Sequence, residues 1–129
     1  MPGRYLLDTN IVIALFNGDA GVKARLEASP EIFLSSVVLG ELYFGAAKSA
    51  RPVANKAKAE DFAASCPLVV SDQVTALEYG SVKTSLKKKG KPIPENDVWI
   101  AACAFQHDLI LVTRDGHFKY VEGLQFEAW

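Results

Sequence analysis

Tyr5-Leu6-Leu7-Asp8-Thr9-Asn10-Ile11-Val12-Ile13-Ala14-Leu15-Phe16 is apolar at both ends and polar in the middle. The short run Tyr5 to Leu7 reads as a buried strand, the polar trio as a turn, and Ile11 to Phe16 as the start of a helix. Asn17-Gly18 then supplies a helix stop. Asp8 is thereby expected at the C-terminal end of a strand, the edge at which open α/β sheets place their ligands.

The same alternation continues along the chain. Asp19 to Ala28 reads as a short amphipathic helix ended by Pro30, and Ile32-Phe33-Leu34 as the next strand. Ser35 and Ser36 offer caps for a helix over about 37–48, and Pro52 opens another to about Ser65. Leu68-Val69-Val70 is strand-like, and Val74 to Lys89 reads as a long helix ending at Gly90. A helix beginning near Asn96 and ending near His107 precedes the buried-type strand Leu109 to Val112. A hairpin-like end is expected after that, with Gln125-Phe126 as an edge strand. Short apolar strands separated by helices predict an α/β fold, a parallel sheet with helices on both faces.

The 129 residues suit one domain able to bury about two thirds of its unfolded surface. Half of them are hydrophobic, which argues against a disordered chain. A net charge of −1 excludes attraction of an anionic partner by the whole molecular field and leaves only local patches. Cys66 and Cys103 lie in apolar stretches without metal-ligand spacing and are read as core thiols. No basic leader and no run of membrane-spanning length is seen, so a cytoplasmic protein with no membrane partner is expected.

Four acids stand at the edges of apolar segments: Asp8, Glu41, Asp97 and Asp115. A carboxylate beside core residues loses hydration and recovers it through a partner, a hydrogen-bond cage or a metal ion. Asp8 could instead cap the helix after it, but Asn10 suits that role equally. Glu41 has Val37, Val38, Phe44 and Gly45 as helical neighbours and sits too deep for a capping box. Asp97 shares a face with Ile100, Ala101 and Ala104, although an acid in a helix's first turn is also stabilised by the macrodipole. Asp115 follows a strand and precedes a glycine, so taken alone it reads equally as a turn residue. Two like charges at 4 Å in a partly screened site repel by about 4 kcal/mol. A cluster of four therefore calls for a divalent cation, and hard oxygen donors favour Mg²⁺ or Mn²⁺.

LLDTNIVIAL (6–15), SSVVLGELYFGA (35–46), ENDVWIAACAF (95–105), LVTRDGHF (111–118) and the closing LQFEAW (124–129) resemble, in order and spacing, the motifs of PIN-domain ribonucleases. The length and the LDTN opening are similar to the VapC-type toxins of toxin-antitoxin pairs. The resemblance implies a PIN-like three-layer sandwich, with residues 1–129 as a single PIN domain and an acidic pocket at the sheet's C-terminal edge. It further implies metal-dependent cleavage of RNA, with Asp8 and Asp97 as the firmest metal ligands and Glu41 and Asp115 completing the shell. Thr113 is expected to hydrogen-bond the site. A homodimer inhibited by an antitoxin protein is implied on the same ground.

Other features weigh less. Lys83, Lys87, Lys88, Lys89 and Lys91 could meet RNA phosphates, but lysines also suit a helix C-terminus. Arg114 is the better candidate for touching phosphate, by bidentate geometry. His107 and His117 are read as structural or surface residues, and Trp99 as core or contact surface in preference to a base-stacking platform. Two competing functions remain. One is a catalytically silent PIN-like module binding RNA or protein. The other is a haloacid dehalogenase-type phosphatase, which would need a second Asp where Asn10 stands.

Overall fold

The computed structural model describes residues 3–129; the expectation that no basic leader opens the chain bears on Met1 and Pro2, which lie outside the described residues. Strand β1 (Arg4–Leu7) runs into α1 (Thr9–Phe16) and α2 (Ala20–Ala28), followed by β2 (Glu31–Ser35), α3 (Ser36–Ala47) and α4 (Pro52–Ala64). Next come β3 (Leu68–Val69), α5 (Gln73–Lys89), α6 (Glu95–His107) and β4 (Ile110–Val112). A single 3-10 segment (Gly116–Tyr120) and β5 (Phe126–Glu127) close the described chain.

Local chemistry accounts for most boundaries. Asp19 caps α2 through Val22 N, Ser35 caps α3 through Val38 N, and Pro52 opens α4. Asp72 and Thr75 form a reciprocal capping box on α5, which ends at Gly90 with φ 66°, a left-handed conformation that suits glycine.

The five strands pair in the order β3-β2-β1-β4-β5, each pair parallel. From β1 the chain steps outward through β2 to β3, then returns past β1 to β4. Right-handed crossovers in these opposite directions put α1 to α4 on one face and α5 with α6 on the other. Packing agrees, since α3 lies against α4 and α5 against α6. The expected sandwich of helices on both faces of a parallel sheet is what the structure shows. The chain end differs from the expected hairpin. Residues 113–125 carry the chain back over the sheet edge, so β5 runs parallel to β4, with Leu111 opposite Phe126.

Central placement explains the apolar second half of β1 and the apolar run of β4. Leu6, Leu7, Leu111 and Val112 are fully buried together with Ile11, Val12, Leu34, Ile100 and Phe118. Each such side chain is worth about 1.5–3 kcal/mol when removed from water. Cys103 is buried in this core, its thiol pushed up to about 11 by that burial, while Cys66 is only partly covered. No helix among the described residues is long and apolar enough to cross a membrane.

Candidate active site

The β1–β4 pair sets the site. Leu7 lies opposite Val112, and Asp8 N donates to Val112 O at 2.9 Å, so Asp8 and Thr113 leave adjacent strands side by side. Asp8 Oδ1 accepts from Thr9 N at 2.8 Å, and Oδ2 accepts from Thr113 Oγ1 at 2.7 Å. Asp8 itself is therefore the cap of α1. The capping role and the acidic edge are one residue's work, because a carboxylate has enough lone pairs for the amide and for a second partner. Asn10 turns outward from the helix instead. Its Oδ1 accepts from Arg114 N at 3.2 Å and its Nδ2 reaches Asp8 Oδ2 at 3.4 Å.

Glu41 comes from the second turn of α3, where its Oε1 accepts from Thr9 Oγ1 at 2.7 Å. Asp97 lies in the first turn of α6, and its Oδ2 is 2.7 Å from His117 Nε2. Asp115 starts the 3-10 segment, its N donating to Thr113 Oγ1 at 3.0 Å. A cleft of about 540 Å³ is lined by all four acids together with Asn10, Glu95 and Asn96. One larger hollow, of about 780 Å³, lies along α5, and a smaller groove of about 210 Å³ runs between α3 and α4, but neither gathers such chemistry.

Asp8 is only 3% exposed and Asp97 8%, whereas Glu41 is half-buried and Asp115 exposed. Burial raises the Asp8 carboxyl above its usual range; the bonds from Thr113 and Thr9 oppose this, and the charges of Asp115 and Glu41 add to it. Asp97 is pushed up to about 6, first by burial and then by the charge of Asp8, with His117 acting in the other direction. Among the described residues no lysine or arginine lines the cleft. His117, beside Asp97, is the one basic side chain found against the acids among the described residues, and one atom each of Asp97, Asp115 and His117 lies within 4.8 Å of the others. Such a donor set fits a divalent metal ion.

Several residues stand apart from expectation. Arg114 faces away from the cleft: its guanidinium binds Asp19 Oδ2 at 2.8 Å and Trp129 O at 2.9 Å, tying the chain end to α2. Lys83 is held by Glu95 at 2.7 Å, and Lys89 reaches Tyr120 O and Glu122. Trp99 stacks on Tyr79 at 4.1 Å, which occupies one of its faces. His117, read from sequence as structural or surface, instead meets the acids. Its only sequence signal is its place two residues after Asp115, inside a turn where no periodicity predicts direction. Thr9 was likewise unmarked, although a hydroxyl directly after Asp8 is well placed to reach a neighbouring helix.

A PIN domain family model matches residues 5–124, nearly the whole chain. The chain belongs to the PIN-domain family, in its VapC branch. It is 37% identical to "Ribonuclease VapC2" of Haemophilus influenzae and 35% identical to the "tRNA(fMet)-specific endonuclease VapC" of Shigella flexneri, with 98% of each chain covered in both comparisons. Among solved structures, DNA-bound VapBC from Salmonella typhimurium superposes with a TM-score of 0.92 at 30% identity, covering 100% of this chain and 99% of that one. VapBC2 from Rickettsia felis, bound to a promoter DNA fragment, gives 0.89 at 32% identity over 97% of this chain and 98% of that one. In this PIN-family chain the acids gather at the carboxyl edge of the sheet, although they are spread from position 8 to position 115.

Proposed function

We propose that the chain is a metal-dependent endoribonuclease, the toxin of a toxin-antitoxin pair, with residues 1–129 acting as one PIN domain in the cytoplasm. The observation that carries this reading is the convergence of Asp8, Glu41, Asp97 and Asp115 on a cleft without a lining cation. The names of its VapC relatives support it. Asp8 and Asp97 would hold the ion, Mg²⁺ or Mn²⁺, with Glu41 and Asp115 completing its surroundings directly or through water. When bound, the cation supplies Lewis-acid polarisation of the phosphodiester and acidifies water.

The chain's own groups do the rest. Thr113 and Thr9 N fix both oxygens of Asp8, so this acid is oriented before substrate arrives, and in the metal-free chain His117 holds Oδ2 of Asp97. Thr9 holds Glu41 Oε1, leaving Oε2 to take the proton of the attacking water. The water oxygen forms a bond to phosphorus as the bond to the 3′-oxygen breaks in line with it.

A protein inhibitor and a second copy of the chain are the proposed partners. Phe44 (67% exposed) and Val53 (84%) give α3 and α4 an apolar outer surface suited to such contacts. A groove that shares Ile13 and Glu41 with the acidic cleft leads toward it.

Purified protein incubated with RNA should cut it in Mg²⁺ or Mn²⁺ and stop with EDTA. Asp8→Asn should abolish cleavage while leaving the fold intact by circular dichroism. Unchanged cleavage by Asp8→Asn, or in EDTA, would overturn the proposal.

A further inference from the structure

We infer that His117 is a nitrogen ligand of the cation that Asp97 holds, and that it tilts the site away from Mg²⁺ and toward divalent transition ions. This rests on the reading of the cleft as a metal site and adds a donor that the four acids do not supply.

Geometry is the first support. Donors bound at right angles to one ion at about 2.1 Å stand about 3 Å apart. His117 Nε2 and Asp97 Oδ2 are 2.7 Å apart, close to such an edge, and an Asp115 oxygen completes a triangle no wider than 4.8 Å. The three come from α6 and from the turn after β4, so they face one another across a gap instead of following one another on one helix.

Orientation is the second. Phe118 is fully buried and fixes the 3-10 segment to the core, and the His117 ring packs at 4.8 Å from the Phe118 ring. The imidazole is only 27% exposed, and its Nε2 is turned to Asp97. The ring meets no other side chain through a hydrogen bond among the described residues except Asp97.

The chemical consequence follows from donor type. Mg²⁺ prefers oxygen and sheds water reluctantly, whereas imidazole suits first-row transition ions, so exchanging one oxygen donor for nitrogen shifts selectivity. Mn²⁺ is a demanding probe because it binds weakest in that series.

The test needs no RNA cleavage. Mn²⁺-loaded protein is measured by pulsed electron paramagnetic resonance for modulation by a directly bound nitrogen. Mn²⁺ and Mg²⁺ affinities are measured by calorimetry for the parent, His117→Gln and His117→Ala. The chain has two histidines, and His107 lies at the far end of α6, so His107→Gln is the control. Nitrogen modulation is expected in the parent and the His107 variant and is lost in both His117 variants. Mn²⁺ affinity should fall by at least the roughly 10- to 100-fold typical of losing a supporting partner, and Mg²⁺ affinity by less. Mn²⁺ binding without nitrogen modulation, or an equal loss for both ions, would overturn the inference and leave His117 as a prop for Asp97. Failure of the parent to bind either ion would overturn the metal-site reading itself.

Discussion

Thr113 Oγ1 donates to Asp8 Oδ2 at 2.7 Å across the β1–β4 seam, a bond between residues 105 positions apart. The same hydroxyl accepts from Asp115 N at 3.0 Å, so one side chain aligns two of the four acids. Thr113→Val keeps the shape and removes both bonds. Urea unfolding at neutral pH should show a loss of about 1.5–3 kcal/mol, the worth of a hydrogen bond to a charged group. Metal affinity should fall roughly 10- to 100-fold. Thr113→Ser should restore both, and a Val variant with parental metal affinity would count against this role.

Asp97 links the site to pH. Its carboxyl titrates near 3.8 when unfolded and at about 6 when folded, so folding takes up a proton between those values. The metal-free protein accordingly loses stability from this group as pH rises through that window. Asp19 and Asp72 are held below their usual range and act with the opposite sign at lower pH. Comparing parent with Asp97→Asn isolates the effect. The variant should gain stability relative to the parent as pH rises from about 4 to about 7. A constant difference across that range would contradict it.

Metal binding should reverse the same penalty. At a hundredfold excess over Kd, a divalent ion should raise stability by about 2.7 kcal/mol, and EDTA should remove the gain. Because the ion competes with the Asp97 proton, the gain should grow between about pH 5 and about pH 7. Thermal melts at fixed ion concentration read this directly, and a pH-independent gain would point to ligands other than Asp97.

Arg114 tests the reverse case. Because it binds Asp19 and the Trp129 carbonyl, Arg114→Ala should lower the melting temperature and loosen the chain end while leaving the cleavage rate unchanged. A large loss of rate with an unchanged melting temperature would return Arg114 to the substrate side.

The strands and helices were legible because each carries local punctuation: Asn17-Gly18, Pro52, Asp72 and Gly90 mark ends by backbone chemistry that needs no tertiary information. The four acids were legible as a group because each interrupts an apolar run. What lay hidden was direction. Arg114 and His117 occupy the same post-strand turn, yet one points to α2 and the other to α6. Turn residues have no period from which to read a face, and only the burial of Phe118 settles which way the ring at 117 goes. The parallel placement of β5 was hidden for a related reason, since a two-residue strand carries too little pattern to reveal its partner or sense.

The central position of β1 has a temporal consequence. The first strand can meet β4 only after Ile110 to Val112 have been synthesised, and Asp97, Thr113 and Asp115 all leave the ribosome well after Asp8 and Glu41. A growing chain carries Asp8 and Glu41 from early on but no assembled cleft. Under the proposed function, the nuclease is thus harmless to the RNA that encodes it until the segment from Asp97 to Asp115 has been translated and has folded against β1.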